Sequence, residues 1–433
     1  MSSTAIVWFT NDLRVSDNVS LMKAQAQNEC VIAVYCFDPR LFENTGYGFK
    51  KTEYYRTRFL LETVQELRDT LQRYNITLFT YVDLPEKILP KVIESYSVSN
   101  IYLQKEWTKE EYNVINNVKK NTSHLSLQWN FSYDQFLYHP EDLPMDIGEL
   151  PKVFTNFRKQ CEKHSRVRKS VTISKFPDAN LIENVTSLPT LEDLGYQARQ
   201  QDFRSAFPFK GGALQAQKRL DEYFWQSQQL STYKKTRNGL VGTEYSSKLS
   251  AWLANGSISA RTIYWEVKKY EKDITKNEST YWLIFELIWR DFFKYVSLKH
   301  GNDVFKIGGI LKKNYTWSTD KEDLKAWIHG QTKQPFVNAN MIELRKTGWM
   351  SNRGRQNVAS YFAKELQLDW RIGAAYFEAY LIDYDVHSNY GNWMYVAGVG
   401  NDPRDRKFNI ELQAKRYDPQ QEYQQLWLQP SLF

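Results

Sequence analysis

Short apolar runs alternate with amphipathic stretches over the first third of the chain. The apolar runs, rich in β-branched residues, are residues 5–9, 31–37, 76–81 and 100–103. Between them lie segments of helical period, clearest over residues 52–74, where the apolar residues recur at three- and four-residue steps: Phe59, Leu60, Val64, Leu67 and Leu71. Strands that alternate with helices predict a doubly wound parallel sheet covered on both faces. Residues 1–130 are therefore predicted to form an α/β domain.

The pattern changes twice after this domain. Residues 131–207 keep no sustained period and are rich in proline, which predicts an interdomain connector with one short helix near residues 152–163. Strand-like runs are then replaced by long amphipathic segments, at residues 212–228, 259–270, 279–299, 352–366 and 372–383. Residues 208–433 are therefore predicted to form a larger, all-α domain.

Composition narrows the class of protein. A hydrophobic content of 42% predicts a folded protein, and a net charge of +7 favours a polyanionic partner only weakly. Three cysteines without a CxxC pair and six scattered histidines predict a reducing, cytoplasmic location and no metal site. No long apolar run or signal peptide is found, so no membrane span is predicted. Aromatic residues reach 15%, with 14 tryptophans, which suggests stacking surfaces as well as large core side chains.

The segment that begins at residue 279 carries charged groups on an apolar helix. Glu286, Trp289, Arg290 and Phe293 fall three and four residues apart and share one face, with Trp282 one turn earlier. Burying a carboxylate and a guanidinium is costly without partners. Two interpretations stay open: an internal Glu–Arg ion pair, or a carboxylate and an indole that line a cavity for a base-like ligand.

A cluster of hydroxyls precedes another predicted helix. Ser246, Ser247 and Ser250 lie at its start, together with Lys248. Serines in this position cap free amides, and the same amides bind anions. Simple capping is the commoner meaning, but three hydroxyls and a lysine favour a bound phosphate.

Two further polar blocks lie downstream. The first places Asn352, Arg355 and Gln356 at the start of a new helix. The second carries three polar residues that we expect close to a helix end, Asp383, Asp385 and Asn389. Acidic groups at a helix C-terminus oppose its dipole and need a compensating cation or a donor-rich ligand. The alternatives are a solvated loop, or a heterocycle with ring N–H groups balanced by an arginine.

These blocks, in this order, resemble the photolyase/cryptochrome family over nearly the whole chain. The motifs are WFTNDLRVSDNVSL, VYCFDPRLF, TRNGL, ELIWRDFF, WMSNRGRQ and LIDYDVHSNYGNWMYVAGVGNDPR, and they match the DASH branch in particular. The resemblance implies a helical domain that binds FAD. It also implies light-driven repair of cyclobutane pyrimidine dimers, in which the excited reduced flavin donates an electron to the dimer and recovers it.

The resemblance assigns the cofactor residues one by one. The FAD phosphates are expected at Tyr233, Ser246, Ser247, Lys248, Leu249 and Ser250. Arg355 and Asp383 are expected to pair beside the isoalloxazine. Asp385 is expected at the polar edge of the ring, and Asn389 opposite its N5 atom.

Substrate and electron-transfer residues are implied in the same way. Glu286 and Asn352 should contact the bases of the dimer, with Trp289 as one wall of the binding hole. A chain of tryptophans should supply electrons, with Trp393 nearest the flavin, then Trp370, then Trp327 at the surface. The sequence alone favours buried core aromatics for these three, and only the resemblance implies the electron-transfer chain.

Departures from the wider family pattern refine the expected substrate. Tyr395 and Gln356 replace a tryptophan and a methionine of duplex dimer photolyases, which predicts a weaker grip on an extracted dimer. Extraction costs far less in a single strand. We therefore expect single-stranded DNA to be preferred, with RNA left open, and Arg237 and Arg353 to contact the backbone.

The α/β domain resembles the antenna domain of the family. Glu110, in LQKEWTKEEYNV, matches a glutamate that holds methenyltetrahydrofolate in DASH members, although acidic residues also favour an exposed helix start. The protein is expected to be a monomer. Three functions are carried forward: a single-strand-preferring photolyase, a signalling photoreceptor with little repair, and a flavin-carrying nucleic-acid binder.

Overall fold

A computed structural model describes residues 4–429 of the chain. In that part the α/β domain contains one parallel sheet of five strands in the order β3-β2-β1-β4-β5. The strands are β1 (Thr4–Trp8), β2 (Cys30–Cys36), β3 (Leu78–Tyr81), β4 (Val98–Gln104) and β5 (Gln128–Ser132). The predicted doubly wound sheet is confirmed. β5 was not predicted, because as an edge strand it is only half-buried and lacks a continuous apolar run.

Helices cover both faces of this sheet. They are α1 (Val19–Gln27), α2 (Tyr54–Arg73), α3 (Pro85–Ser95) and α4 (Lys109–Asn121). α2 corresponds to the helix predicted over residues 52–74 and buries Phe59, Val64 and Leu67. The Asn18 side chain accepts a hydrogen bond from the Leu21 amide and so caps α1.

The connector packs along the sheet rather than standing apart from it. Its short helix is α5 (Phe154–His164), close to the predicted position. The Asn180 side chain accepts from the Val31 amide at 2.8 Å and donates to the Val31 carbonyl at 3.0 Å. Further along, the Asp291 carboxylate accepts hydrogen bonds from the amides of Leu137 and Tyr138 at 2.8–3.0 Å. The connector is therefore fixed to both domains.

The remainder is helical, as predicted. Its helices are α6 (Ala213–Asp221), α7 (Tyr233–Thr236), α8 (Ser250–Ala254), α9 (Ala260–Asp273), α10 (Glu278–His300), α11 (Lys321–His329), α12 (Pro335–Thr347), α13 (Asn352–Ser360), α14 (Trp370–Tyr380), α15 (Val386–Ala397), α16 (Ile410–Tyr417) and α17 (Glu422–Leu428). The predicted helices over 212–228 and 352–366 each end in a π-helical turn, at Glu222–Gln226 and Tyr361–Glu365. α11, α12 and α15 to α17 were not predicted, because several of them mix polar residues into the buried face.

A buried charge cluster joins the two domains. Arg261 on α9 pairs with Asp17 at 2.8 Å and with Asp134 at 3.1 Å, and all three are buried. Arg14 adds hydrogen bonds to the carbonyls of Asp17 and Gly256. Such buried ion pairs persist only when every charge is satisfied, so the relative position of the domains is well specified.

Candidate active site

An ion pair lies at the centre of the helical domain. Arg355 on α13 approaches the buried carboxylate of Asp383 to 2.9 Å. The hydroxyl of Ser250, at the start of α8, donates to the same carboxylate at 2.7 Å. The structure therefore brings together the residues expected beside the flavin ring. We call Ser250, Arg355, Asp383, Asp385 and Asn389 the inner cluster.

Asp385 has a different local role from the one expected. It is the N-cap of α15, and its side chain accepts a hydrogen bond from the Ser388 amide at 2.8 Å. The expectation of an acidic pair opposing a helix C-terminus was wrong. α14 ends at Tyr380, and a new helix begins directly after Asp385, where a negative charge is favourable.

Two cations on α10 hold Asp385 in its charged form. Lys294 donates to its carboxylate at 2.8 Å, and Arg290 lies 3.8 Å away. Burial alone would raise the pKa of Asp385, but Lys294 and Arg290 together keep it well below the usual range. Burial in turn lowers the pKa of Lys294. Sequence reasoning missed Lys294, although it follows Arg290 by one helical turn on the same face.

The serine segment is held by its backbone rather than by a long helix. The buried side chain of Arg219 on α6 donates to the carbonyls of Thr243, Ser246 and Ser247 at 3.2 Å. α8 has only five residues and its N-terminus has no side-chain cap. The predicted helix-start anion site is therefore weaker than expected, because the dipole of so short a helix is small. Arg219 gave no distinctive signal in the sequence.

Lys248 lies in the middle of this segment in an unusual environment. Its backbone is left-handed, with φ of +63°, and its residue is 2% exposed. The ammonium group lies 3.1 Å from the centre of the Tyr245 ring and has no hydrogen-bond partner in residues 4–429. Burial lowers its pKa well below the usual value. A strained backbone and an unsatisfied buried amine at one residue are typical of a ligand site.

Asn389 and Trp393 follow Asp385 along α15. The Asn389 side chain donates to the Ala374 carbonyl at 2.9 Å, which fixes the orientation of its amide. Trp393 packs against Gly373, where a Cβ atom would come within 2.3 Å of the indole. Tyr233 is buried near Glu286 and Arg237. The expected phosphate contact of Tyr233 therefore stays a prediction.

A second group of polar and aromatic residues forms the outer cluster, which we define as Arg237, Glu286, Trp289, Asn352, Arg353, Gln356 and Tyr395. Glu286 pairs with Arg237 at 2.8 Å and accepts a hydrogen bond from Trp282 at 3.1 Å. Burial raises the pKa of Glu286, and Arg237 partly offsets this. The internal Glu286–Arg290 pair does not form, because Arg290 turns to Asp385 and to the carbonyls of Gln135 and Leu253.

Aromatic rings form the walls of this outer cluster. Trp289 stacks on Phe154 with ring centres 3.6 Å apart, and Tyr395 meets Trp289 nearly at a right angle at 6.2 Å. Asn352 is exposed at the start of α13. On the same helix, Arg353 donates to the Gln356 side chain at 2.7 Å. The cluster thus combines flat walls, a half-buried carboxylate and two arginines.

The three predicted electron-transfer tryptophans are all buried. Trp327 is 0% exposed, so its expected position at the surface was wrong. It lies directly beside Trp393, with ring centres 6.4 Å apart, inside the core made by Phe362 and Phe377. Trp370 is also fully buried and donates to the Ile307 carbonyl. Exposure could not be read from sequence, because all three indoles lie in equally amphipathic segments.

Trp317 is a tryptophan that sequence reasoning missed. It is half-buried, and the next residue, Ser318, bridges to Leu368, two positions before Trp370. An indole that is accessible to solvent and close to the buried tryptophans is the kind of residue that a surface electron donor requires.

Glu110 lies on the rim of a cavity of about 1030 Å³ between the two domains. It is at the first turn of α4, its side chain is 68% exposed, and it pairs with Lys51. The position of Glu110 is therefore compatible with both interpretations, an exposed acidic residue at a helix start and a group at the edge of a cavity. Asp385 lines the same cavity, so the space reaches the inner cluster.

Comparison with known proteins identifies the family. A family model described as the FAD binding domain of DNA photolyase matches residues 282–432, and one described as DNA photolyase matches residues 5–178. Cryptochrome DASH of Synechocystis sp. is 45% identical over 98% of this chain and 87% of its own length. Cryptochrome DASH of Danio rerio is 46% identical over 99% and 83%. The crystal structure of a Synechocystis sp. cryptochrome covers 98% of this chain and 88% of its own, with a TM-score of 0.94 and 46% identity. The chain therefore belongs to the photolyase/cryptochrome family, and these relatives are DASH cryptochromes.

The inner cluster fits the FAD that this domain type binds. Buried polar atoms without a hydrogen-bond partner in the described part of the chain include Lys248 Nζ and Trp393 Nε1. Arg355, Lys294 and the hydroxyls of Ser246 and Ser250 add donors of the kind that bind phosphates and ring carbonyls. A polar, partly cationic set of side chains with unsatisfied atoms is what a large anionic cofactor requires.

Other ligand classes receive no support. Within residues 4–429 no group of three or more His, Cys, Asp or Glu side chains is arranged to hold a metal ion. Over the same residues no helix is both long and apolar enough to cross a bilayer.

Proposed function

We propose that this protein uses FAD and blue or near-ultraviolet light to split cyclobutane pyrimidine dimers, preferentially in single-stranded DNA. The observation that carries the proposal is that the same helices link the two clusters. α13 supplies Asn352 to the outer cluster and Arg355 to the inner one, and α15 supplies Tyr395 and Asn389 in the same way. α10 supplies Glu286 to the outer cluster and Lys294, which binds Asp385 of the inner cluster. A dimer in the outer cluster would therefore lie next to a flavin in the inner cluster.

The chain's own residues would hold and orient the flavin. Arg355 and Asp383, paired at 2.9 Å, offer one face of a polar lining, and Asn389 is fixed one turn along α15 from Asp385. Lys294 and Arg290 keep Asp385 ionised, so it can accept hydrogen bonds from ring N–H groups. When bound and reduced, the flavin supplies the light-driven electron that opens the cyclobutane ring.

The outer cluster would recognise the dimer. Two rings at a right angle, Trp289 and Tyr395, match the bent surface of two joined pyrimidines. Glu286, half-buried in this cluster, is an acceptor for a pyrimidine N–H group. Arg237 neutralises Glu286 in this structure and would turn to a backbone phosphate when nucleic acid binds. Charged hydrogen bonds of this type contribute about 1.5–3 kcal/mol each.

The preference for single strands follows from the size of the pocket walls. Extracting a base from a duplex costs a few kcal/mol, and the pocket must offset that cost. Tyr395 is smaller than tryptophan, and the Gln356 amide is already engaged by Arg353. Gln356 and Tyr395 therefore offer less apolar contact to an extracted dimer. A dimer whose bases are unpaired should show no such disadvantage, because no base pair has to be broken.

Electrons would reach the flavin through the buried tryptophans. Trp393 is the nearest to the inner cluster along α15, and Trp370 and Trp327 lie around it. None of the three reaches the surface, so we propose Trp317 as the solvent-side member. Methenyltetrahydrofolate is proposed as the antenna in the interdomain cavity, with Glu110 at its rim.

The alternative is a blue-light photoreceptor with nucleic-acid binding and little repair. A photoreceptor has no need of the half-buried carboxylate and the paired aromatic walls of the outer cluster, and these therefore favour repair.

Repair of matched substrates tests the function and the preference together. Fully reduced protein is illuminated with an oligonucleotide containing one dimer, either single-stranded or paired, and the recovered thymine is measured. We expect the single strand to be repaired at least about tenfold more efficiently at moderate salt. In the duplex the dimer must first be extracted from its base pairs, which costs a few kcal/mol, whereas in the single strand it need not be. The double variant Tyr395→Trp/Gln356→Met should narrow the gap. Equal repair of both substrates would refute the preference, and no repair of either would favour the photoreceptor.

A further inference from the structure

A buried amine and a buried carboxyl group in the helical domain lack the partners that each requires. Lys248, in the serine segment before α8, is 2% exposed, and its amino group lies 3.1 Å from the centre of the Tyr245 ring. Glu343 on α12 is 1% exposed. Lys248 Nζ and Glu343 Oε1 both lack a hydrogen-bond partner in residues 4–429, so no hydrogen bond joins them. Buried donors and acceptors are nearly always satisfied, so these two atoms need an explanation.

The hydrogen bonds around Tyr423 indicate where a proton lies. This residue on α17 is fully buried, and its hydroxyl lies 2.6 Å from Glu343 Oε2 and 3.0 Å from Asn340 Oδ1. The Asn340 amide nitrogen donates to the Phe336 carbonyl at 2.7 Å, so the atom that faces Tyr423 is an acceptor. A hydroxyl carries a single proton and cannot donate to both oxygens. Both contacts are satisfied when Tyr423 donates to Asn340 and a protonated Glu343 carboxyl group donates to Tyr423.

The surroundings of Glu343 favour this protonated form. Burial raises the pKa of Glu343 to about 7, and Tyr423, Lys248 and Arg355 offset only part of the effect. Burial likewise lowers the pKa of Lys248 well below the usual value, although Glu343 opposes this. An ammonium group without hydrogen-bond acceptors is costly to bury at this depth. Without a further charge nearby, the pair therefore consists of a neutral amine and a neutral acid.

The other charged groups around Lys248 do not titrate near neutral pH. Besides burial and Glu343, Arg219 on α6 and Arg355 on α13 lower the pKa of Lys248, and Glu244 raises it. Arginine keeps its proton in proteins. Partial burial would raise the pKa of Glu244, but Arg219, which pairs with it at 2.9 Å, keeps that pKa below its usual value. Of these groups, Lys248 and Glu343 are therefore the two that can change their charge when an anion binds.

We propose that Lys248 and Glu343 share one proton, which lies on Glu343 while the phosphate site is empty and on Lys248 once the FAD phosphates occupy it. The O–H bond of the carboxyl group breaks and an N–H bond forms on the amine. Two neutral groups thereby become an ammonium and a carboxylate without net uptake of a proton. The negative charge of the phosphates favours the ammonium. Because the exchange is an equilibrium, it needs no direct contact between the two side chains.

Glu343 is thus a positioning residue that acts through Lys248. When Glu343 becomes a carboxylate, the Tyr423 hydroxyl turns its proton from Asn340 to Glu343, because a charged acceptor is preferred. α17 therefore takes part in the same equilibrium. The inference goes beyond the proposed function and rests on one part of it, the expectation that the FAD phosphates lie at residues 246–250.

The dependence of FAD affinity on pH tests the inference. The FAD-loaded, full-length protein is equilibrated by dialysis at several values from about pH 6 to about pH 8, on both sides of the pKa of Glu343. Flavin fluorescence gives the dissociation constant. Glu343→Gln is the test variant, because its amide keeps the shape but has no acidic proton. Glu322→Gln on α11 is the control, since that carboxylate is 82% exposed and pairs with Lys325. Riboflavin, which lacks the phosphates, is the ligand control.

Below the pKa of Glu343 the wild type and Glu322→Gln should bind FAD with a constant affinity, because no net proton is taken up. In Glu343→Gln the proton must come from solvent, so the dissociation constant should rise in this range by up to about tenfold per pH unit. Riboflavin should show no such difference between wild type and variant. Lys248→Met, which has no amine, should bind FAD more weakly, and adding Glu343→Gln to it should restore no pH dependence. A pH-independent dissociation constant in Glu343→Gln, or unchanged affinity in Lys248→Met, would overturn the inference.

Infrared difference spectra give a second readout that needs no variant at Glu343. The C=O stretch of a protonated carboxyl group should be lost when FAD binds to the wild type and should persist when FAD binds to Lys248→Met. Loss of this band in both proteins, or in neither, would overturn the inference. Dimer repair is measured on the same samples. Absence of repair together with these binding results would count against the proposed photolyase function and leave the shared proton standing.

Discussion

Glu286 offers the sharpest test of the outer cluster. In this structure its carboxylate is half-buried, pairs with Arg237 at 2.8 Å and accepts from Trp282 at 3.1 Å. Glu286→Gln keeps the shape and the bond from Trp282 but removes the charge. If the carboxylate accepts a pyrimidine N–H group, the variant loses a charge-assisted hydrogen bond worth about 1.5–3 kcal/mol. The dissociation constant for a dimer should rise by about tenfold to a hundredfold.

The assay separates binding from the light reaction. Repair is measured in single turnovers over a range of concentrations of a single-stranded dimer oligonucleotide. The half-saturating concentration should rise, while the yield per absorbed photon at saturation changes little, because Glu286 contacts the dimer and does not supply the electron. Glu278→Gln on the same helix is the control, since that carboxylate is exposed and pairs only with Lys234. An unchanged half-saturating concentration in Glu286→Gln would show that the dimer does not lie against this residue.

The other predictions concern electron supply, cofactor retention and pH. Trp393→Phe should slow photoreduction of the oxidised flavin with its content unchanged, and photoreduction as fast as in the wild type would contradict the tryptophan route. Trp327→Phe should slow photoreduction less than Trp393→Phe does, because the buried Trp327 indole is not in contact with solvent. Transient absorption measures photoreduction in both variants. Asp383→Asn leaves Arg355 without its anionic partner. The purified variant should therefore retain less than about a tenth of the FAD that the wild type retains, as the loss of one charged hydrogen-bond partner implies. Absorbance measures the FAD content, and full retention would contradict this prediction. Burial raises the pKa of Glu106 from 4.5 to about 8 in the folded state, so the folded state binds this proton more tightly than the unfolded chain. The free energy of unfolding should therefore fall by about 1.4 kcal/mol per pH unit between these values. Urea unfolding of the wild type and of Glu106→Gln at pH 5 and pH 8 measures how the free energy of unfolding changes with pH. This change should be smaller in Glu106→Gln, and an equal change in both proteins would contradict the prediction.

Much of the architecture could be predicted because its signals are local. Apolar runs such as residues 31–37 predicted the parallel strands, and helical spacing predicted α2 and α10. β5 escaped prediction because an edge strand exposes half of its surface. Several helices of the second domain escaped it because their buried faces include polar residues that pair only in three dimensions.

The residues of the candidate site show the same difference between local signals and contacts that form only in three dimensions. The motifs identified Arg355 and Asp383, which the fold brings together across 28 positions of the chain. Asp385 was placed at the wrong kind of helix end, because the short segment between α14 and α15 carries no glycine or proline that marks where one helix ends and the next begins. Lys294 and Glu106 were missed, since the burial of a charge depends on packing between domains rather than on sequence neighbours.

Light-dependent repair of a single defined dimer tests the central claim most directly. Protein with its flavin fully reduced is mixed with a single-stranded oligonucleotide that carries one cyclobutane thymine dimer. Recovered thymine is counted per protein molecule, in blue light and in darkness. The account predicts repeated turnovers in light and none in darkness. Intact dimer after illumination, in protein that retains stoichiometric FAD and binds the oligonucleotide, would contradict it.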